Sequence, residues 1–142
     1  MKNKLALVGS HSKTRNNAPY NDPAYDVWVF NEAPQHDWCL RWDACFQLHK
    51  PEVYTSLQNV NNAGHWAWLQ QDHGPRNIWM QDIDPRVPNS RRYPMEEIKA
   101  DLPAAEYGWF TSTASMALAL ALHLGYEHIE IYGIDLSSGT EY

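Results

Sequence analysis

The chain has 142 residues, a length that suits one hydrophobic core better than two. Its 17 acids outnumber its 11 Lys and Arg, and a formal charge of -6 argues against a protein that mainly grips duplex DNA. Apolar residues make up 44% of the chain and charged residues 20%, as in globular proteins. Its apolar runs are too short for a signal peptide or a membrane span. We therefore expect a cytoplasmic protein without nucleic-acid or membrane partners.

Five short runs rich in β-branched and aromatic residues predict five strands. They are Lys4–Val8, Asp26–Phe30, Ala44–His49, Asn77–Gln81 and His128–Tyr132. The segments between them predict helices at Asn62–Asp72, Met95–Leu102 and Ser112–Leu124. Strands that alternate with helices form parallel sheets through right-handed crossovers. The predicted fold class is α/β, a Rossmann-like and mostly parallel sheet of about five strands with helices on both faces. We expect residues 1–142 to form a single domain.

The helix predicted at Ser112–Leu124 is the clearest one in the chain. Thr and Ser residues at its start can act as N-caps, and Gly125 can end it. Ala and Leu lie on all of its sides, which predicts that it is widely buried. Its first N–H groups lack helical partners, so Thr111–Ser115 is the best candidate anion site. The alternative is an ordinary polar cap on a core helix.

Small polar residues follow the predicted strands, where ligands bind to open parallel sheets. Together with the helix start they form the candidate ligand site: Gly9, Ser10, Asn31, Glu32, Thr111, Ser112, Thr113, Gly133 and Asp135. His49 and Glu32 are the candidates for a general base. Neither a dinucleotide-binding Gly pattern nor a P-loop is present, and the His spacings match no zinc motif. We therefore predict no cofactor and no metal.

Two further motifs can each be interpreted either as a ligand site or as an ordinary structural feature. Asp82-Ile83-Asp84 has the DxD spacing that suits a divalent cation, but Pro85 follows it, which also fits a turn stabilised by Asp side chains. Arg91-Arg92 is either a phosphate clamp over the cleft or a solvated basic loop.

The stretch Phe110–Asp135 (FTSTASMALALALHLGYEHIEIYGID) combines a Ser/Thr-rich entry, an Ala-rich helix, Leu-Gly-Tyr, a strand and Gly-Ile-Asp. In that order it resembles the helix–strand unit of bacterial lipooligosaccharide sialyltransferases. Val27–Glu32 (VWVFNE) resembles the second strand of that family. The unit is also similar to one in Rossmann-like proteins related to archaeal pterin pyrophosphokinase, and the overall pattern resembles small phage-encoded proteins.

The resemblance implies a site for the cytidine nucleotide of a donor sugar. It nominates Gly9, Ser10, Asn31, Ser112, Gly133, Asp135 and Tyr142, the last matching a Tyr that contacts phosphate. The first turn departs from the family, because Gly9-Ser10-His11-Ser12 stands where the family has Asn-Gly-Pro-Ser. The family's lid and catalytic His have no counterpart in these 142 residues. The resemblance thus implies nucleotide binding more directly than sugar transfer.

We therefore expect a glycosyltransferase-like protein that binds a nucleotide or nucleotide-derived ligand, such as a nucleotide sugar or a nucleotide signal. Whether the chain is an enzyme stays open. One alternative is a non-catalytic phage-type protein that sequesters a nucleotide immune signal, and another is a metal-dependent nucleotide hydrolase that uses Asp82 and Asp84. No helix follows the fifth predicted strand to cover its sheet face, so we expect a homo-oligomer.

Overall fold

The computed structural model describes residues 2–56, 64–103 and 111–135. The strands in these ranges are β1 (Lys4–Val8), β2 (Tyr25–Phe30), β3 (Ala44–Phe46), β4 (Asn77–Met80), β5 (Ser90–Arg92) and β6 (His128–Tyr132). The α-helices are α1 (Pro51–Tyr54), α2 (His65–Leu69), α3 (Met95–Asp101) and α4 (Thr113–Leu124), and single 3-10 turns lie at Arg15–Asn17 and Ala33–Gln35. Within the described part of the chain, no helix is both long and apolar enough to cross a bilayer.

All six strands are parallel and form one sheet in the order β5-β4-β3-β2-β1-β6. From β1 the chain moves outward strand by strand to β5, and then returns to place β6 on the other side of β1. The strand order therefore reverses between β1 and β6. In open α/β sheets the crevice beyond the carboxyl ends at such a reversal is the usual place for a ligand.

The two faces of the sheet carry different layers. Leu5 and Leu7 of β1 pack with α3 and α4, whereas Ala6 and Val8 point to the opposite face. That second face is covered by turns and loops, whose buried aromatic residues include Tyr20 and Trp42. The predicted Rossmann-like α/β fold is confirmed, and helical segments lie on both faces, although those of the second face are only three to five residues long.

Several predicted boundaries were wrong. The sheet has a sixth strand, β5. It could not be recognised from the sequence, because two of its three residues are exposed Arg and give no apolar pattern. Such charges are common on edge strands, where they discourage pairing with another chain. Strand β3 ends at Phe46, so His49 lies in the loop beyond it. The predicted helix at Asn62–Asp72 is confirmed only as α2, and part of it lies outside the described residues.

Helix α4 is confirmed from Thr113, with Ser112 as its N-cap and Gly125 at its left-handed end. The prediction that it is widely buried was wrong in part. Its four buried residues are Ala117, Ala119, Leu120 and Ala121, whereas Leu122 and Leu124 are exposed. The helix packs against β1 and α3, and it is its last turn that is open to solvent.

Backbone contact between Gly9 and Gly133 joins the ends of β1 and β6. The Gly9 N–H donates to Tyr132 O at 2.8 Å, and the His11 N–H donates to Gly133 O at 2.8 Å. A Cβ on Gly9 would lie 2.5 Å from Gly133 O, and one on Gly133 would overlap Gly9 O. Gly133 also has a φ of 65°, which residues with a Cβ rarely adopt. Only glycine fits at both positions, and together they bring the two strand ends into contact.

We predict that Gly133→Ala lowers the free energy of unfolding by about 3 kcal/mol or more, because it adds a steric overlap to an unfavourable backbone conformation. Gly74→Ala is the matched control, since Gly74 has a φ of 68° and a Cβ added there would meet no atom within 4 Å. It should cost about 1 kcal/mol. Urea unfolding of both variants measures the difference, and equal losses would contradict the close contact.

Candidate functional site

A cavity of about 550 Å³ lies at the carboxyl ends of β1, β2, β3 and β6, beside the start of α4. Every described residue of the predicted ligand site lines it: Gly9, Ser10, Asn31, Glu32, Thr111, Ser112, Thr113, Gly133 and Asp135. The general-base candidate His49 lines it too, and Tyr142 lies outside the described residues. The lining also includes His11, Phe30, Ala114 and Ile134, which the predicted ligand site left out. Each of these directly adjoins a nominated residue in the chain, so sequence proximity was the available signal.

The first wall of the cavity is the β1–β6 junction. Thr14 fixes it from the loop after β1, since its Oγ1 accepts the Gly133 N–H at 2.7 Å. At the mouth, His11 Nε2 lies 3.4 Å from Asp135 Oδ2. This His–carboxylate pair is a feature that sequence reasoning missed. It places a group able to carry a proton within the lining of the cavity.

Asn31, at the end of β2, forms the second wall. It is left-handed with a φ of 53°, a conformation that Asn tolerates better than most residues. Its backbone is held in place, because its N–H donates to Phe46 O at 2.9 Å and its carbonyl faces the Cys45 thiol. Its side-chain Oδ1 is buried and has no hydrogen-bond partner among the residues that the structure describes. An unpaired buried acceptor costs about 1–3 kcal/mol, so this amide is a destabilising group beside an open cavity.

The third wall is the N-terminus of α4. Ser112 and Ser115 form a reciprocal capping box in which each side chain accepts the backbone N–H of the other, at 3.2 and 3.1 Å. A hydroxyl at the third helical position thus closes the cap, although the sequence offers no carboxylate there. Hydrogen bonds to the described residues leave the N–H groups of Thr113 and Ala114 unused. Two donors at the positive end of the helix dipole therefore remain beside the cavity.

Four side chains of the lining are ionisable. Glu32 and Asp135 are acids, and His11 and His49 are bases, whereas none of the described lining residues is a Lys or Arg. Arg15 lies nearby, but its guanidinium donates to Ser10 O at 2.8 Å and lies over the Trp38 ring. A ligand with several negative charges would therefore meet carboxylates without arginines to balance them.

A chain of polar side chains with a buried centre, Gln47 and His65, lies behind His49. The His49 N–H donates to Gln47 Oε1 at 3.3 Å, and Gln47 Nε2 lies 2.7 Å from His65 Nε2. On the other side of the ring, His65 Nδ1 lies 2.8 Å from Gln35 Oε1. Burial lowers the pKa of His65 to about 4, helped by the nearby His49, so the ring is neutral at neutral pH. The chain ties the loop after β3 to α2 and to the turn that follows Asn31.

The Asp82-Ile83-Asp84 motif forms a turn. Both oxygens of Asp84 are in use, because they accept from the Arg86 guanidinium at 2.9 and 3.0 Å and from the Tyr54 hydroxyl at 2.6 Å. These bonds hold the pKa of Asp84 well below its usual range. Asp82 is exposed and does not line the cavity. Among the described residues, no three His, Cys, Asp or Glu side chains are arranged to hold a metal ion. The geometry favours the turn over the cation site.

The phosphate-clamp hypothesis for Arg91-Arg92 was wrong. Both residues belong to β5, at the far end of the sheet from β1 and β6, and Arg92 pairs with Glu97 at 2.9 Å. Their neighbour Tyr93 is buried and donates to Met116 O of α4 at 2.8 Å. The sequence placed this segment in a loop near the cleft because it did not reveal the sixth strand.

No model of a known protein family and no curated protein sequence matches the chain. Among solved structures, it is similar to the apo form of an alpha-2,3-sialyltransferase from Campylobacter jejuni, with a TM-score of 0.57 and 21% identity. The match covers 97% of this chain but only 62% of the sialyltransferase, so the chain spans less than two thirds of that protein. At this identity the likeness concerns the fold alone. The resemblance to sialyltransferases seen in the sequence is confirmed at that level, and this chain has a sialyltransferase-like α/β fold.

Proposed function

We propose that this chain binds a nucleotide or nucleotide-derived ligand, such as a nucleotide sugar, in the cavity at the carboxyl ends of β1, β2 and β6. The observation that carries the proposal is a cavity at the reversal of the strand order, lined by Asn31, whose Oδ1 has no hydrogen-bond partner among the described residues, and by the start of α4. A volume of about 550 Å³ falls within the range usual for small-molecule sites.

Asn31 and α4 suit the two ends of such a ligand. A hydroxyl or amino group of a nucleoside would donate to Asn31 Oδ1 and remove the cost of leaving it unpaired. The phosphate would accept from the N–H groups of Thr113 and Ala114, with the Ser112 hydroxyl beside them. Phe30, which also lines the cavity, offers an aromatic surface to the nucleoside.

The charge of the lining narrows the ligand class. With two carboxylates and no Lys or Arg among its described residues, the cavity favours a single phosphate over a diphosphate or triphosphate. A nucleoside monophosphate, free or linked to a sugar, fits this balance best. The similar fold of a sialyltransferase supports a glycosyltransferase-like use of the site.

We predict that CMP, taken as the probe, raises the Tm of the protein and that CDP and CTP raise it progressively less. At a concentration 100-fold above Kd, bound ligand stabilises by about 2.7 kcal/mol, which corresponds to a Tm increase of about 5–10 °C for a chain of this size. Scanning calorimetry in a buffer without phosphate measures the series. A larger effect of CTP than of CMP would contradict the single-phosphate assignment.

Asn31→Gly tests the contact that carries the proposal. Glycine accepts the left-handed backbone of Asn31, so the free variant should be as stable as the parent or more so, while its affinity for CMP falls by about tenfold. Asn3→Gly is the control, because exposed Asn3 lies at the opposite end of β1 and should leave affinity unchanged. Unaltered affinity of the Asn31 variant, or no Tm change with any nucleotide of a broad panel, would refute the proposal.

Whether the bound ligand is converted or recovered unchanged distinguishes an enzyme from a protein that only binds it. If the site transfers a sugar, prolonged incubation with CMP-linked sugar should release CMP, and Glu32→Ala or His49→Ala should lower the rate at least tenfold, because each removes a candidate base from the lining. Glu96→Ala, an exposed acid on α3, is the control. Ligand that is recovered unchanged and stoichiometrically after heat denaturation would instead assign the site to binding without chemistry.

A further inference from the structure

We propose that Gln35, His65 and Gln47 form a proton-sensitive positioning network, which holds His49 at the cavity while His65 is neutral and releases it when His65 takes up a proton. The consequence for ligand binding rests on the proposed function, but the coupling between His65 and His49 does not. The sequence analysis assigned no role to His65, and the proposed function leaves it without one.

The hydrogen bonds fix the direction of every donor in the network. The His49 N–H can only donate, so the Gln47 atom that faces it is the acceptor Oε1, at 3.3 Å. The other end of that amide, Nε2, therefore donates to His65 Nε2 at 2.7 Å. His65 Nε2 must then carry a lone pair, and the ring proton sits on Nδ1 and is donated to Gln35 Oε1 at 2.8 Å.

Because the His65 ring is buried, adding a second proton to it is unfavourable. Gln47 and His65 are each only 1% exposed, and the Trp68 ring stacks against His65 with 5.8 Å between centroids. Among the described residues, His49 is the titratable group that acts on the ring, and its positive form opposes protonation. Accordingly, the pKa of His65 is lowered to about 4. No carboxylate in the described network offsets a charge on the ring.

A proton on His65 Nε2 would face the Gln47 NH₂, donor against donor. Turning the Gln47 amide over would supply its oxygen to the ring, but would then direct its NH₂ at the His49 N–H. Without that turn the buried ring N–H has no acceptor. After it, two donors meet at His49, and moving His49 away relieves this second conflict. Gln47 N–H and the carbonyl of Leu48 stay bound to Trp79 O and to Gln81 Nε2, so the change is confined to the His49 end of the loop.

Nuclear magnetic resonance of the full chain, labelled with ¹⁵N, tests the coupling without any ligand. At neutral pH, long-range ¹H–¹⁵N spectra should show the His65 proton on Nδ1. As the pH falls through the His65 titration, the His49 backbone amide and the Gln47 side-chain amide should shift with the same midpoint, about 4, as the ring. A proton on Nε2 at neutral pH, or a His49 amide that ignores the His65 titration, would overturn the proposal.

His65→Gln gives the matched variant, because its amide keeps one donor and one acceptor but does not titrate. The acidic step of the His49 amide should vanish in this variant and persist in His123→Gln, whose parent residue pairs with Asp101 on α3, outside the cavity. Persistence of the step in His65→Gln would overturn the proposal. If the variant does not fold, the wild-type correlation alone decides. If CMP binds at no pH, the proposed function fails while this test still stands.

Discussion

The contact between Gly9 and Gly133 is the constraint on which the rest of the structure depends. Because neither residue has a Cβ, the ends of β1 and β6 approach until backbone meets backbone, and Thr14 closes the junction from the next turn. This happens where the strand order reverses, so the chain leaves the two strand ends in opposite directions and opens a crevice above them. Asn31, the start of α4 and His49 line the cavity at this crevice.

Two features of the cavity lower the stability of the folded protein. Asn31 leaves a buried acceptor unpaired, and α4 leaves two N–H groups beside the cavity unused by the described residues. Asp84, Gln47 and His65 are hydrogen-bonded, whereas the Nε atoms of Arg15 and Arg41, outside the cavity lining, are also buried without a partner among the described residues. Unsatisfied donors and acceptors that cluster at one open place are typical of a site shaped for a ligand.

Much of this could be predicted from the sequence, because the strands of a parallel sheet are continuous apolar runs and the residues that follow them meet at one edge. Gly9, Asn31 and Gly133 were found in that way. Strand β5 was missed because its exposed Arg residues carry no apolar signal. His11 was passed over although it follows β1 closely, and the His65 network joins segments separated by up to 30 residues, which no local pattern reveals. The expected homo-oligomer and the role of Tyr142 stay predictions.

We propose that the cavity between β1, β2, β6 and α4 receives a nucleotide through Asn31 and the start of α4. The most direct measurement is a ¹H–¹⁵N map of backbone amide shifts as CMP is added to the full chain. We expect the largest changes on Gly9, Asn31, Thr113, Ala114 and Gly133, and we expect them to saturate with one equivalent. Changes centred on the far edge at β5, or no saturable changes with any nucleoside monophosphate, would contradict it.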